Sequence, residues 1–202
     1  MAELPFTVDV SNSASTCRDA LRVRHQVYCV ERGYEAGAGG VETDAYDAHA
    51  SHVVLRDAAG DPLGTTRLVR DSHLGFPMEA VAPGVVAAMG VERRRSAELS
   101  RFSLPRGAEA AIGAPPGSLR LALVQGVVTL SGAAGHEALV AMMEPALLRL
   151  LRGAAIHFEA VGPLVEHRGL RQPCFLRFPA ALERVRAERP EVWHYLVAGA
   201  SA

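Results

Sequence analysis

Cysteine is scarce in this chain, long apolar runs are missing, and the charge is almost balanced. Cys17, Cys29 and Cys174 leave one thiol over in any disulfide scheme, and none stands in a Cys-x-x-Cys arrangement. That argues against a disulfide scaffold and makes a reducing cytoplasm the simpler setting. No stretch approaches the ~18 apolar residues of a membrane span. Met1 to Thr16 has no basic start followed by an apolar stretch, so neither an anchor nor an export signal is expected. A formal net charge of −1 gives no electrostatic case for a polyanionic partner, and Arg93-Arg94-Arg95 is too short for a nucleic-acid stripe. Internal repeats are also missing, and the Ala/Gly/Pro patches Ala36 to Gly40 and Ala108 to Gly117 read as loops, not linkers.

What remains is an ordinary soluble composition. With 202 residues, 49% apolar and 21% charged, the chain can bury a real core, and one domain over residues 1–202 is expected. Thr16 with Asp19 reads as a capping box opening a helix over Cys17 to Arg32, which Gly33 ends. Ser51 to Arg56 and Leu63 to Arg70 read as strands of a hairpin joined by a turn-rich connection. A short helix follows at Val85 to Met89, then a strand at Glu98 to Leu104. The spacing next predicts a helix over Leu119 to Leu130 capped by Ser118, a strand at Ala138 to Met143, and a helix from Pro145 to near Gly153. Strands at Ile156 to Val161 and Pro173 to Arg177 and a helix at Ala180 to Glu188 complete an α+β order around one mixed sheet.

Charges placed inside apolar segments stand out against this background. Leu21, Arg24 and Tyr28 fall at i, i+3 and i+7, so Arg24 shares a face with two inward-looking residues. Arg67 sits inside a strand, and Glu98 and Arg101 share another. An isolated buried ion costs several kcal/mol on an order-of-magnitude basis, so such groups are expected to pair. Ions that converge from separate segments suggest a built site, or a network that pins the loop after the first helix to the sheet.

Arg24-x3-Tyr28, Tyr34, the Asp44-x2-Asp47 pair, Arg67 on a strand and Glu98-Leu-Ser-Arg101-Phe102 together resemble the acyl-homoserine-lactone (autoinducer) synthases. Gly162 to Pro173 and Arg189 to Trp193 look more like the acyltransferases associated with PEP-CTERM/exosortase systems, relatives of those synthases and of the N-acyl amino acid synthases. All resemble the GNAT acyltransferase fold, a single mixed sheet flanked by helices. The resemblance implies transfer of a fatty acyl group from acyl carrier protein or coenzyme A, as thioester donor substrate, to a primary amine, with no bound cofactor and no metal. It implies Glu98 as catalytic base, with Arg101 and Arg24 holding it ionised and ordered. It further implies Tyr28, Tyr34 and Phe102 as pocket walls and Asp44, Asp47 and Arg67 as groups that build the site. In the shared fold the pantetheine arm would lie between strands Glu98 to Leu104 and Ala138 to Met143, with Met142 and Met143 lining the acyl tunnel. Phe often stands in the family at the place of Tyr28, and Trp at the place of Tyr34.

The chemistry agrees with these residue types. A thioester is already activated, whereas an α-amino group titrates near ~8 and must lose a proton before attack, which a carboxylate can take. Arg106 to Gly113 does not fit the Gly-rich loop that cradles the coenzyme A pyrophosphate in small-acyl acetyltransferases, which favours acyl carrier protein. His49 and His52 lie three apart beside Asp47, but no further ligand cluster follows for a metal. Cys29 and Cys174 read as small buried hydrophobes. Three functions follow: an N-acyltransferase acting on an amino acid or similar amine, an autoinducer synthase using S-adenosylmethionine, or a non-catalytic acyl-carrier or lipid-binding module.

Overall fold

The computed structural model describes residues 4–198. In chain order the elements are β1 (Phe6–Asp9), α1 (Ala14–Arg24), β2 (Ala50–Asp57), β3 (Pro62–Arg70), α2 (Val85–Ala88), β4 (Ser96–Ser103), α3 (Ala108–Ala111) and α4 (Ser118–Ala134). They continue with β5 (Ala138–Met143), α5 (Pro145–Gly153), β6 (Glu159–Ala160), β7 (Val165–Glu166), β8 (Leu170–Arg177), α6 (Phe178–Glu188) and α7 (Pro190–Ala198). One open mixed sheet runs β1-β2-β3-β4-β5-β8-β6, with β7 paired to β8. Its pairs are antiparallel apart from β4 and β5, which run parallel. The expected α+β architecture, a single mixed sheet flanked by helices, is what forms.

Alternation along the strands sorts the two faces. Val53, Leu55, Leu68, Ala97, Leu99, Leu139 and Ala141 meet Leu119, Leu123 and Val127 of α4, Leu151 of α5, and residues of α6 and α7 in the main core. His52, Arg67 and Glu98 occupy the alternate positions, on the side that α1 and the turn Pro77–Ala80 cover. A smaller apolar cluster of Phe76, Met78, Val140 and Phe175 packs there.

Several boundaries differ from expectation for identifiable reasons. Ser13, not Thr16, caps α1: its hydroxyl accepts from the Thr16 amide at 3.1 Å. Thr16 is inside the helix and donates to Asp9, and Asp19 binds Arg56. Past Arg24 the helix widens into a π-helical segment, His25–Glu31. Ser118 is the first residue of α4, and Gly117, at φ 85, takes the cap position. The strand expected at Ile156 to Val161 shrinks to Glu159–Ala160, because Ala155 (φ 62) and the Ile156 amide, which donates to Leu151, close the end of α5. β1 and α7 were not expected at all. α7 contributes Val192 and Leu196 to the core.

One irregularity positions the site. The parallel pairing of β4 with β5 ends at Leu99↔Ala141, although β5 continues along β8 to Met143. On its other edge β4 moves from Ser100↔Arg67 to Ser103↔Thr65, three residues against two, so it bulges at Arg101-Phe102. Arg101 adopts φ 54, in the left-handed region. A bulge re-aims side chains and bends its strand, and here it opens a cleft between β4 and β5.

Candidate active site

Three arginines and three carboxylates form a closed ring beneath the π-helical segment. Arg24 donates from Nε to Glu42 Oε2 at 2.5 Å and from Nη1 and Nη2 to Asp47 at 2.5 and 3.1 Å. Arg67 reaches Asp47 at 2.5 Å and forks onto both oxygens of Asp44 at 2.7 Å. Arg101 closes the circuit, donating to Asp44 at 3.0 Å and to Glu42 at 2.9 and 3.1 Å. Each arginine bridges two acids and each acid two arginines, so the ring is neutral, and it is largely buried. The segment Glu42 to Asp47 is held in place by its own backbone. The Glu42 amide donates to Leu21, and Asp44 and Asp47 cap a 3-10 turn reciprocally. Burial alone would raise Glu42, but hydrogen bonds and charge from Arg101 and Arg24 hold it down at about 2. Asp47 and Asp44 are likewise held below the usual carboxylate range, against the effect of burial.

Glu98 stands outside the ring. Among the described residues its only hydrogen bond comes from the Met78 amide, at 2.7 Å to Oε2. It is 2% exposed, and burial pushes its carboxyl up to about 8, against the Met78 amide and the more distant charges of Arg67 and Arg101. This corrects one expectation. Arg24 and Arg101 do not hold Glu98 ionised, because Glu42, Asp44 and Asp47 consume both guanidiniums.

Three cavities lie in series starting at this carboxyl, each sharing lining residues with the next. The first, about 240 Å³, is lined by Glu98, Met78, Tyr28, Asp44, Tyr46 and Arg168 among others. The second, about 280 Å³, lies in the cleft and shares Tyr28, Ser100, Arg101, Met142 and Arg171 with the first; Phe102, Met143, Arg32 and Arg120 also line it. A third, about 30 Å³ and wholly apolar, lies behind Leu99 and Phe102 among Val127, Leu139, Phe158 and Val185. They form a path through the sheet from a polar end to an apolar end.

Most sequence-predicted residues converge here. Tyr28, Arg101, Phe102, Met142 and Met143 line the path, and Arg101 lies 5.1 Å from the Tyr28 ring. Asp44 reaches the first cavity, whereas Arg24, Arg67 and Asp47 act beneath it, through the ring. Tyr34 does not line these three cavities; its ring packs 6.2 Å from that of Tyr28. Sequence reasoning missed Glu42, although it opens the same motif as Asp44 and Asp47, and it missed Tyr46, the Met78 amide, Arg168 and Arg171. No group of three or more His, Cys, Asp or Glu among the described residues is placed to hold a metal. His52 is instead buried neutral, pushed down to about 4 by burial and by the charge of Arg24.

With β4 and β5 splayed apart past the bulge, the open mixed sheet has the fold of GNAT-type acyltransferases. Residues 19–177 match the family described as N-acyl amino acid synthase FeeM, and the chain belongs to that family. The acyl-homoserine-lactone synthase of Ralstonia nicotianae (strain ATCC BAA-1114 / GMI1000) is 28% identical over 145 residues, covering 70% of this chain and 71% of that protein. In fold, the chain is similar to FeeM, an N-acyl amino acid synthase from uncultured soil microbes, with a TM-score of 0.65 at 16% identity over 90% of this chain and 96% of that one. It is also similar to BjaI, a CoA-dependent acyl-homoserine lactone synthase solved with SAM and isopentyl-CoA, with a TM-score of 0.72 at 18% identity over 98% and 90% of the two chains. The protein is therefore an acyltransferase.

Proposed function

We propose that the chain makes N-acyl amino acids, with Glu98 as the base that takes the proton of the acceptor amine. One observation carries this reading: a fully buried carboxyl, paired with no arginine, opens onto a cavity at the head of the acyl path. The acceptor amine enters the cavity beside Met78 and Tyr46. The thioester carbonyl lies where that cavity joins the cleft, and the acyl chain runs past Leu99 and Phe102 into the apolar cavity. Met142 and Met143 wall the path, and Tyr28 packs against the acceptor. Arg101, Arg24, Arg67, Asp44 and Asp47, with Glu42, hold this geometry through the ring.

The proton steps are matched in energy. An α-ammonium titrates near ~8 and a thiol near ~8.5, while Glu98 is pushed to about 8. Glu98 accepts the ammonium proton, the free amine attacks the thioester carbon, and the C–S bond breaks as the nitrogen gives up its second proton to solvent, leaving a neutral amide. The proton then passes from Glu98 to the departing thiolate, so no step requires a strongly uphill transfer.

The donor is an acyl phosphopantetheine thioester, on acyl carrier protein or coenzyme A. Arg32 and Arg120 at the cleft mouth supply cations for its phosphate. Three free cysteines support a reducing, cytoplasmic setting, and residues 1–202 are read as one catalytic domain. The likeness of Gly162 to Pro173 to PEP-CTERM/exosortase-associated acyltransferases supports a role alongside such systems. The Ralstonia relative favours a second reading, acylation of S-adenosylmethionine. Mass spectrometry of products from mixed acyl thioesters and an amine pool separates the two. N-acyl amino acids support the first reading, and a lactone with methylthioadenosine replaces it with the second. No product from any donor would leave a carrier- or lipid-binding module.

A further inference from the structure

The cavity that holds Glu98 needs a cation if the acceptor is an amino acid, and the ring cannot provide one. Arg24, Arg67 and Arg101 are matched by three carboxylates. His167 also lines the cavity but is held below the ordinary histidine range, by burial and then by the neighbouring Arg168, so it is neutral at pH 7. Two arginines remain, Arg168 and Arg171. Arg171 donates to the Leu170 carbonyl and pairs with Glu144 at 3.1 Å, facing the donor cleft.

Arg168 is held differently. It sits at the tip of the β7–β8 hairpin, where the His167 amide donates to the Gly169 carbonyl at 3.0 Å. Its φ of 53 is unusual for a residue with a long side chain. Such strain is retained where the surrounding structure over-determines it. Its Nη1 lies 2.6 Å from His167 Nε2. Arginine only donates, so that nitrogen is the acceptor and the imidazole proton sits on Nδ1. Nε and Nη2 both contact a single oxygen, Oε1 of Glu35. Glu35 comes from the loop after the π-helical segment, between Gly33 and Gly37, both with positive φ. A guanidinium fork fits two carboxylate oxygens in parallel, and here it has one.

We propose that Arg168 is the receptor for the α-carboxylate of the acceptor, and that Glu35 occupies it as an internal stand-in until an amino acid displaces it. The acceptor is then an α-amino acid bound at two points, carboxylate on Arg168 and amine toward Glu98. Simple amines and carboxamides lack the first point. This rests on the proposed acyl transfer to amino acids and adds the group that selects them.

Calorimetric titration of products tests the inference without turnover. N-decanoyl glycine, leucine and phenylalanine, each as free acid and as carboxamide, are titrated into wild type, Arg168→Gln and Glu35→Gln, with folding checked by circular dichroism. Wild type is expected to prefer the acid by about tenfold or more, the value of one hydrogen bond between charged groups. Arg168→Gln brings that preference close to one. Glu35→Gln widens it, because the competing carboxylate is gone; a purely structural Glu35–Arg168 strap would weaken binding instead. Equal affinity for acid and carboxamide in wild type, no binding of any derivative, or a narrower preference in Glu35→Gln would overturn the inference. Product analysis with the amine pool scores acyl transfer separately. Turnover of amines combined with indifference to the carboxylate would remove only the role of Arg168.

Discussion

Glu98→Gln replaces one carboxyl oxygen by an amide nitrogen with almost no change in volume, and its effect on folding follows from where Glu98 sits. The glutamine carbonyl can still accept from the Met78 amide. In the wild type the carboxyl moves from an ordinary 4.5 to about 8 on folding. A raised carboxyl pKa means that the folded state holds the proton more tightly. The stability this contributes is fully present below pH 4.5 and is lost as pH rises toward 8. At about 1.36 kcal/mol per unit, the loss reaches about 3 kcal/mol at pH 7 and about 5 kcal/mol above pH 8. Those are large fractions of a typical folding free energy. Urea unfolding of both proteins at pH 5, 7 and 9 measures it: the glutamine variant should gain steadily on the wild type and overtake it well before pH 9. Activity should move the other way. Loss of a general base costs about 10²- to 10⁴-fold in turnover, and wild-type kcat should climb toward pH 8 as the carboxyl ionises. Parallel unfolding curves from pH 5 to 9 would refute the raised carboxyl, and a variant that turns over normally would refute the base.

The ring predicts an opposite pH response. Glu42, held at about 2, contributes about 3 kcal/mol above pH 4.5 that is lost as pH falls toward 2, visible as an acid unfolding limb in circular dichroism. Glu42→Gln should shrink that limb, to which Asp44 and Asp47 still contribute, and cost about 3–5 kcal/mol at pH 7 by leaving Arg24 and Arg101 half-paired and buried; a loss under 1 kcal/mol in urea melts would show the ring to be dispensable. Gly126→Ala would place a methyl 2.3 Å from Val53 Cγ1 and 3.1 Å from Val8 Cγ1. Valine is stiff at χ1, so α4 must shift from the sheet at about 1–3 kcal/mol, checked by thermal melts. Val127→Phe should fill the apolar cavity and shorten the acyl chains in the product profile while leaving the choice of acceptor unchanged.

Much of this site could be read from the chain, because buried ions advertise themselves. Arg24 and Arg67 lie where helical or strand spacing points inward, and Asp44 and Asp47 cap one short turn. The sheet was equally legible from apolar runs such as Ala138 to Met143. Two things were not. A π-helical segment leaves no mark in a spacing argument, yet it sets how the chain leaves Arg24 and presents Tyr28. Partner choice was also hidden. Glu98 shares a strand with Arg101 and a face with Arg67, which makes it the obvious counter-ion. The register instead places Val69 opposite Glu98 and Ser100 opposite Arg67, and Arg67 Nε donates to the Ser100 hydroxyl at 3.0 Å. Only the folded loop shows that Glu42 arrives from beneath to take the place expected for Glu98.

That substitution of partners is what the proposed role of Glu98 requires. A free arginine beside Glu98 would hold its carboxyl well below the amine's own range, and a carboxylate that weakly basic could not take an ammonium proton readily. Closing the ring with Glu42 keeps three guanidiniums close enough to brace the cleft while cancelling most of their field, so burial outweighs the Met78 amide and the residual pull of Arg67 and Arg101 at Glu98. Opening the ring should therefore act at a distance. In Glu42→Gln the uncancelled charges of Arg24 and Arg101 pull Glu98 down, and the pH at which kcat rises should fall with it, although Glu42 and Glu98 share no hydrogen bond. If the activity profile of that variant keeps its midpoint while its stability drops, the ring is a brace alone and Glu98 owes nothing to its neutrality.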